Sequence, residues 1–439
     1  MTDERPEITL LRDLLSIDTT NPPGNEGPAA EVLRDFLAAA GFDCTIHTSP
    51  GGRANLVARL DGPRDRPALV LVSHTDVVPV ERDRWSAEPF GGEVRDGFVW
   101  GRGALDMKGI AAMHALAAAD LARTGDANRE VIVVSVADEE AGGAEGAGWL
   151  MREHADLIGF GDGRPPPDAL GEGAFGLEGL FDRPVMPIAL GEKKAVRLKL
   201  TARGEPGHGA LPPARQAPVL LAAAIGRVAG YGTPRVHPIM REQFDTLAPV
   251  ASGAQAAVLK ALASPAGPVA ARLLARKLVT LGAIGTLLAD TVSPTNIDAG
   301  YKDNVIPGEA TAALDCRLLP DTDVGAFVSR VQRDSGPDVE VTARRVAEGP
   351  VSDRGKTFDA LAAASRSVDS ELVVVPSLTP GFTDLRHFRK LGARAYGWAP
   401  VVLSPDLLAT VYGHDERIPV EGYLAAVTAM TDAMRGACR

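Results

Sequence analysis

The sequence predicts an α/β protein, in which a mostly parallel sheet has helices on both faces and an α+β unit is inserted into it. Residues 68–73 (ALVLVS) and 131–137 (VIVVSVA) are continuous apolar runs, as expected of strands that are buried on both faces. Residues 109–122 between them have the pattern of a helix, so this order indicates a parallel crossover. Alternating apolar and polar residues at 194–204 then indicate a half-buried strand, where the inserted unit begins.

The other elements follow in chain order. Residues 28–40 have helical periodicity that stops at Gly41, and the Pro- and Gly-rich segment 159–173 is expected to be a surface loop. Beyond it we predict helices near 216–230 and 254–289, a strand pair over 301–320 that turns at Pro307-Gly308, an amphipathic helix at 324–334, an edge-like strand at 339–346, an apolar strand at 371–378 and a final helix at 420–436. The α/β pattern returns after residue 351, which divides the chain into 1–190, 191–350 and 351–439.

Length and composition limit the class of protein. The 439 residues suffice for two or three domains, and 45% hydrophobic with 23% charged residues is an ordinary globular composition. Acidic residues outnumber basic ones by 57 to 46, which gives a net charge of −11. This charge disfavours nucleic acid and anionic membranes as partners.

The amino-terminal segment carries acidic residues where a signal peptide needs basic ones, and no run of 18 apolar residues occurs. The sequence therefore predicts no transmembrane helix and a cytoplasmic protein. Three widely spaced cysteines, Cys44, Cys316 and Cys438, favour reduced thiols over a disulfide framework.

Two polar residues follow the first apolar strand in LVLVSHTDVVPV (69–80). His74 and Asp76 are two residues apart, which places their side chains on one face of an extended chain. Histidine is a common zinc ligand, and a nearby carboxylate can hold its second ring nitrogen. Ligand sites in open α/β sheets gather at the carboxyl ends of strands. The motif indicates a metal site, although a polar strand end with a structural histidine would give the same pattern.

Carboxylates occur at the ends of neighbouring elements. Glycines bracket Asp106 in GRGALDMKG, where an aspartate would also serve as the N-cap of the helix at 109–122. Three acids follow the strand at 131–137 in ADEEAGG. On an extended chain Glu139 and Glu140 point to opposite sides, so one could bind a metal while the other faces a water molecule. The alternative is a solvated acidic turn.

Two more residues complete the set of candidate ligands. Glu172 lies between glycines in GEGAF, and His414 lies in a polar turn in VYGHDERIPV. Each alone is equally consistent with an ordinary loop residue. Together, two histidines and several carboxylates suit zinc, cobalt or manganese better than copper or an iron–sulfur cluster. Two metals that share a carboxylate and keep open positions can clamp a hydrolytic water.

These motifs, in this order and over nearly the full length, resemble the co-catalytic zinc aminoacylase/carboxypeptidase family. That family includes aminoacylases, glutamate-releasing carboxypeptidases, acetylornithine deacetylases and succinyl-diaminopimelate desuccinylases. The resemblance implies a catalytic domain formed by 1–190 and 351–439, and a lid at 191–350 through which two chains form a homodimer. It also implies two divalent metal ions per chain, with zinc expected and cobalt or manganese as alternatives.

The resemblance assigns roles to the motif residues. Asp76 would orient His74, and Glu139 would be the general base that moves a proton from water to the leaving nitrogen. The implied metal ligands form two sets that share Asp106, namely His74, Asp106 and Glu172 for one ion, and Asp106, Glu140 and His414 for the other.

Residues of the lid match positions that contact substrate. His208 in GEPGHGALPP matches a histidine that reaches the active site of the partner subunit and helps to hold the carbonyl oxyanion. Asn304 in DNVIPGEA and Arg317 in LDCRLLP match residues that hold the carboxylate of the substrate. Arginine suits that role because its planar fork can bind a carboxylate with two hydrogen bonds.

The segment TPGFTDLRHF matches another substrate-binding motif, in which Thr383 and Arg386 occupy the expected positions. Phe382 stands where the family commonly has glycine, so the shape of the pocket differs there. The lid is also longer than the minimal form, with extra residues around 235–290 that could cover the site or enlarge the dimer contact.

The predicted function is hydrolysis of the amide bond of an N-acyl amino acid, or of a small peptide, that carries a free carboxylate. Glutamate at position 172 is typical of aminoacylases and carboxypeptidases, whereas many aminopeptidases and dipeptidases of the family have aspartate. The alternatives are a dipeptidase or carboxypeptidase of the same family and, from another class, an inactive metal-binding interaction protein. The latter would lack a base or a ligand, and none is missing from the motifs.

Overall fold

A computed structural model describes residues 5–161, 163–274 and 282–439. Its strands are β1 (Asp43–Thr48), β2 (Ala54–Leu60), β3 (Leu69–His74), β4 (Glu93–Arg95), β5 (Phe98–Trp100), β6 (Val131–Val136), β7 (Asp168–Leu177), β8 (Val185–Glu192), β9 (Lys194–Arg203), β10 (Gly207–His208), β11 (Gly230–Tyr231), β12 (Thr291–Asp298), β13 (Val305–Ile306), β14 (Glu309–Leu318), β15 (Val339–Ala347), β16 (Val373–Thr379), β17 (Arg394–Leu403) and β18 (Arg417–Pro419). Its α-helices are α1 (Pro6–Leu15), α2 (Gly27–Ala39), α3 (Lys108–Thr124), α4 (Ala147–Glu153), α5 (Ala217–Val228), α6 (Pro238–Leu247), α7 (Gly253–Ala263), α8 (Gly267–Leu273), α9 (Gly282–Thr286), α10 (Val324–Ser335), α11 (Lys356–Val368), α12 (Leu385–Lys390), α13 (Pro405–Leu408) and α14 (Val420–Cys438).

Eight strands form a central sheet in the order β1-β2-β6-β3-β7-β17-β8-β16. Strand β3 pairs in parallel with both β6 and β7, while β7 pairs in parallel with β17 and β8 with β16. The extended antiparallel ladders lie at the β1-β2-β6 end. This arrangement confirms the predicted α/β class with a mostly parallel sheet.

Both faces of the central sheet are buried, which explains why its strands are continuous apolar runs. Along β3, Leu69 and Leu71 belong to one core with α1, α2, α3, α11 and α14. Val70 and Val72 belong to a second core with α4 and α12 on the other face. Successive side chains of a strand point to opposite faces, so each of the first four positions of β3, Leu69 to Val72, has an apolar residue.

A second sheet of five antiparallel strands has the order β11-β12-β14-β9-β15, and α5 and α10 pack against it. Strand β15 lies at its edge, as predicted for 339–346. Strand β12 was not predicted, because Pro294 and its polar neighbours weaken the strand pattern. The strand pair expected over 301–320 is present as β13 and β14, but β13 pairs with β10 and β14 with β9 and β12, so they do not form a hairpin.

The additional segment around 235–290 packs against the end of the central sheet. Helices α6, α7 and α8 share a hydrophobic core with Val185 of β8 and Val375 of β16. Because β16 is an outer strand of the sheet, this helical layer extends the hydrophobic core to the end of the sheet. The helical stretch predicted over 254–289 is present as α7, α8 and α9, and its residues 275–281 lie outside the described part of the chain.

One loop prediction is wrong in part. The segment 159–173 was expected to be a loop, but β7 begins at Asp168 and contains Glu172. The apolar residues that pair with β3 and β17 override the local glycine content. The division into 1–190, 191–350 and 351–439 stays a prediction.

Within the described residues, no helix has both the length and the apolar character to cross a membrane. The thiols of Cys44, Cys316 and Cys438 are free, as the sequence predicted.

Candidate active site

Three neighbouring strands bring polar residues to one edge of the central sheet. His74 is the last residue of β3, Glu139 and Glu140 lie in the turn after β6, and Glu172 lies in β7. Because β6 and β7 flank β3 in parallel, these residues meet at the same edge. The side chain of Asp106, which precedes α3, reaches the same place.

His74 contacts carboxylates through both ring nitrogens and is only 1% exposed. Its Nε2 lies 3.3 Å from Oδ1 of Asp106 and 3.8 Å from Oε2 of Glu172. Its Nδ1 lies 3.0 Å from the main-chain oxygen of Asp76 and 3.5 Å from Oδ1 of the same residue. Burial disfavours a charged imidazole, but hydrogen bonds to Asp106, Asp76 and Glu172 outweigh it and raise the pKa of His74 well above its usual value.

Asp76 organises the turn that carries the two glutamates. Its Oδ1 accepts a hydrogen bond from the main-chain N–H of Glu139 at 3.1 Å, and its Oδ2 accepts from the N–H of Glu140 at 3.1 Å and from Asn21 at 2.8 Å. Burial works against its ionisation, but the bonds from His74 and Asn21 lower the pKa of Asp76. Asn21 was not predicted as a site residue, although it lies in the polar, proline-rich segment TTNPPG (19–24).

The two glutamates do not lie on extended chain, contrary to the prediction. Asp138 has a φ of 67°, so the chain turns immediately before Glu139. The glutamates nevertheless belong to different groups of potential ligand atoms. Within each group the atoms lie no more than 4.8 Å apart, and the groups are His74, Glu139 and Glu172, and His74, Asp106 and Glu140.

The donor atoms present fit divalent metal ions. Oε1 of Glu139 and Oε1 of Glu140 are buried and have no hydrogen-bond partner among the described residues. Burial, with the charge of Asp106 as a second cause, raises the pKa of Glu172 to about 8 and that of Glu140 to about 7. Bound cations would stabilise the ionised form of such crowded carboxylates, which is why this arrangement is typical of a metal site.

The structure does not bring His414 into either group. Its Nε2 lies 3.6 Å from Oε2 of Glu81, and its side chain is 36% exposed. The nearby Tyr412 reaches the site instead, where its hydroxyl donates to Glu140 at 2.6 Å. The assignment of His414 as a metal ligand stays a prediction, and it requires the turn at 412–415 to bring the ring closer to Glu140.

A buried ion pair fixes the loop that carries Asp106. Oε1 of Glu416 accepts hydrogen bonds from the main-chain N–H groups of Leu105 at 2.8 Å and Asp106 at 3.1 Å. Its Oε2 accepts from Arg102 at 2.6 Å, and Arg102 also donates to the main-chain oxygen of Gly413 at 2.8 Å. This pair was not predicted from the sequence, because 314 positions separate its two members and neither is a candidate ligand in the motifs.

Thr383 and Arg386 lie beside the glutamate turn and bind protein groups. The main-chain N–H and the hydroxyl of Thr383 donate to Glu192 at 3.0 and 2.7 Å. The guanidinium of Arg386 donates to the main-chain oxygens of Thr383 at 2.6 Å and Gly142 at 2.9 Å, and lies 4.0 Å from Glu139. These contacts support the turn, and direct contact of either residue with substrate stays a prediction.

Arg317 faces the same region from the second sheet. Its guanidinium donates to Asp315 at 2.9 and 3.3 Å. The ring of Phe382 lies 5.2 Å from the guanidinium of Arg317 and 4.7 Å from that of Arg386. The phenylalanine that replaces the family's glycine therefore stacks with two arginines and helps to fix their orientation.

His208 and Asn304 lie together on the inserted segment. Strand β10 pairs with β13, and the main-chain oxygen of Asn304 accepts from Gly209 at 3.0 Å. Nδ1 of His208 accepts from the N–H of Ala210 at 3.1 Å. Both side chains are exposed, and neither belongs to the groups of ligand atoms around His74 among the residues that the structure describes.

The fold and the grouped carboxylates define a metal-dependent hydrolase. The chain belongs to Peptidase family M20/M25/M40, whose family model matches residues 70–436. It is 30% identical over 370 residues to the N-fatty-acyl-amino acid synthase/hydrolase of Mus musculus, covering 81% of this chain and 71% of the relative. It is 28% identical over 443 residues to aminoacylase-1 of Sus scrofa, covering 98% and 95%. Among solved structures, the M20 family metallo-carboxypeptidase Sso-CP2 from Sulfolobus solfataricus has the same fold, with a TM-score of 0.75, 19% identity and coverage of 98% and 99%.

Metal content tests the assignment of Asp106 as a shared ligand. We expect about two divalent ions per chain in the metal-loaded protein, and about one or fewer in Asp106→Ala, because the substitution removes a ligand of both ions. Elemental analysis after desalting measures this, with Asp156→Ala as an exposed control. His414→Ala should lose one ion if the turn reaches the metal. Equal metal content in Asp106→Ala and the parent would contradict a bridging role.

Proposed function

We propose that this protein hydrolyses the amide bond of N-acyl amino acids with a free carboxylate and uses two divalent metal ions, zinc foremost. The observation that carries the proposal is the pair of carboxylate groups that converge on His74, with buried oxygens of Glu139 and Glu140 left without partners. The names of the relatives from Mus musculus and Sus scrofa, which refer to acyl-amino acids, support this substrate class.

The proposed roles follow the family assignment. The metal ligands would be His74, Asp106, Glu140, Glu172 and His414. When bound, the ions would polarise the scissile carbonyl and lower the pKa of a water molecule. Glu139 accepts the proton of that water and delivers it to the leaving nitrogen. Asp76 holds the main-chain N–H groups of both glutamates and so keeps the base and the ligand in fixed positions.

A cluster of arginines supports recognition of a carboxylate. Arg197 and Arg317 both pair with Asp315, so two positive charges share one negative charge. Arg345 lies close by and donates to the main-chain oxygens of Ala141 at 2.8 Å and Gly142 at 2.6 Å in the glutamate turn. A cavity of about 100 Å³ is lined by Arg197, Arg345, Phe382 and, in the glutamate turn, Glu140 and Ala141. The net positive charge there favours a substrate that carries an anionic group.

A hydrolysis screen tests the proposed function. Metal-loaded protein would be incubated with N-acyl amino acids and with dipeptides, and liquid chromatography would measure the released amino acid. We expect N-acyl amino acids with a free carboxylate to react fastest. Faster cleavage of dipeptides would instead favour the dipeptidase or carboxypeptidase alternative, and no hydrolysis of either class would contradict the proposal.

The role of Arg317 gives a sharper prediction. Arg317→Lys should lower kcat/KM for a free N-acyl amino acid by roughly tenfold or more, because lysine lacks the planar fork that binds a carboxylate with two hydrogen bonds. The parent should cleave the methyl ester poorly. The ratio of kcat/KM for the free acid to kcat/KM for the methyl ester should therefore be smaller in the variant than in the parent. Arg203→Lys, on an exposed part of β9, is the matched control. The assignment is wrong if the parent cleaves acid and ester equally well.

A further inference from the structure

A second cavity, of about 430 Å³, lies away from the metal-binding residues. The charged side chains in its lining are those of Arg66, Arg129, Lys356, Arg394, Arg439 and Asp168. The guanidinium of Arg66 donates to the main-chain oxygen of Arg439 at 3.4 Å, so Arg439 contributes an acceptor as well as a cation. Cationic side chains nevertheless outnumber acidic ones here, in a chain whose net charge is −11. A cavity of this size accommodates a small molecule.

The cavity lies at the opposite edge of the central sheet from the candidate active site. Leu69 at the start of β3 is paired with Asp168 at the start of β7, and Asp168 with Arg394 at the start of β17. These parallel strands therefore begin together beside the cavity, whereas His74 ends β3 at the other edge. The six residues of β3 span about 20 Å, so the two sites are separate.

The carboxylate of Asp168 is already fully engaged. It accepts hydrogen bonds from Arg129 at 3.1 Å, from Arg394 at 2.8 Å and from the hydroxyl of Thr357 at 2.7 Å. One negative charge thus holds two buried or half-buried guanidinium groups in place. Arg129 is only 6% exposed, and its Nε is buried without a hydrogen-bond partner among the described residues. Asp168 is thus shared by two guanidinium groups, and Asp353 is a second acidic residue close enough to act on Arg394. The side chains of Arg66 and Lys356 remain as further positive charges in the lining.

Two further features add to the positive potential. Arg66 and Lys356 are exposed at the rim, and neither contacts Asp168 in the network just described. Lys356 is the first residue of α11, a helix of 13 residues whose N-cap, Gly355, offers no side-chain acceptor. The first main-chain N–H groups of a helix and its dipole both favour an anion at this end, where the helix's own Asp359 also lies in the first turn.

We propose that this cavity binds a compact polyanion of the phosphate or polycarboxylate type, at a site distinct from the metal centre. The fixed guanidinium groups of Arg129 and Arg394 form its base, and Arg66 and Lys356 close around the ligand from the rim. Arginine, lysine and helix amino-terminal N–H groups are the donors that proteins use for phosphate and carboxylate groups. Because the interaction is between charges, binding weakens as ionic strength rises.

Calorimetric titration tests this site with inorganic phosphate and, separately, with tricarballylate, on desalted metal-loaded protein at constant ionic strength. The pocket variant is Arg66→Gln/Lys356→Gln, which leaves the buried network of Asp168 intact. The matched control is Arg272→Gln/Lys260→Gln, which removes the same charges at exposed positions elsewhere. We expect saturable binding of at least one anion to the parent and the control, and affinity weaker by about tenfold or more in the pocket variant.

The tighter of the two anions identifies the class of ligand, and a rise in melting temperature with that anion provides a second measurement. Unchanged melting temperatures without ligand would show that both variants fold. Absence of saturable binding of either anion to the parent would overturn the proposal. Equal affinity in the pocket variant and the control would also overturn it, since the anion would then bind at the metal centre or elsewhere.

Discussion

Replacing Glu139 with glutamine should lower kcat by about 10²–10⁴-fold, the usual contribution of a general base, while the protein keeps its metal ions. Glutamine preserves the size of the side chain but cannot accept a proton. Burial, with the charge of Glu172 as a second cause, raises the pKa of Glu139 well above its usual value, which is the direction that a base working near neutral pH requires. Single-turnover kinetics with an N-acyl amino acid and elemental analysis of the same samples measure the two effects.

Substitution of the neighbouring Glu140 should affect metal binding, in contrast to substitution of Glu139. Glu140→Gln should lose a metal ion, because Glu140 is grouped with His74 and Asp106, and its activity should recover in part at high metal concentration. Glu153→Gln, an exposed position on α4, is the control. Glu139 is itself grouped with His74 and Glu172, so its side chain could be a ligand. Equal loss of metal in Glu139→Gln and Glu140→Gln would contradict the separation of base and ligand.

The sequence sufficed to predict the α/β class, the strands β3, β6 and β16 of the central sheet, and most of the residues around His74. Strands buried on both faces have a local signature, since β3 and β6 each begin with four consecutive apolar residues. Polar residues that follow such strands stand out, which is why His74, Asp76, Glu139 and Glu140 were found from their positions alone. From the sequence, Asp106 could have been either a metal ligand or the N-cap of α3. The structure excludes the N-cap role, because Met107 occupies the N-cap position and no side chain caps the helix.

Residues that act through distant partners had no such signature. Arg102 and Glu416 form one buried ion pair behind Asp106, but they lie far apart in the chain. Asn21, in the loop between α1 and α2, donates a hydrogen bond to Asp76. Strand β12 was missed because its register depends on pairing with β14 and not on its own composition. Long-range hydrogen bonds and strand pairing thus account for most of what the sequence could not predict.

Mixing two inactive variants tests the predicted homodimer, in which the lid of one chain would complete the active site of the other. Strand β12 pairs with β11 only at Thr291 and Val292, so within the described residues its later part is paired on one side, by β14. The side chain of Ile297 on this strand is 58% exposed, and Leu211, which follows the His208 strand, is 81% exposed. An unpaired strand edge beside exposed apolar side chains favours association with a second copy of the chain.

We therefore expect two inactive variants to restore each other's activity. His208→Ala should lose about 10²–10³-fold in kcat if His208 stabilises the oxyanion, and Glu139→Gln loses the base. In a mixed dimer, the site with intact Glu139 receives the intact His208 of the Glu139→Gln chain, while the other site lacks both. With random exchange half of the dimers are mixed and half of their sites work, so activity should return to about a quarter of the parental value.

The matched control is a mixture of His208→Ala with the double variant His208→Ala/Glu139→Gln, in which no site can obtain both groups. Native mass spectrometry would establish that mixed dimers form in each case. Recovery in the first mixture but not in the second would show that His208 acts across the subunit interface, because a histidine that served its own chain could not meet an intact Glu139 in either mixture. If mixed dimers form and neither mixture gains activity, the oxyanion role of His208 in the partner's site is wrong, and His208 acts within its own chain or not at all.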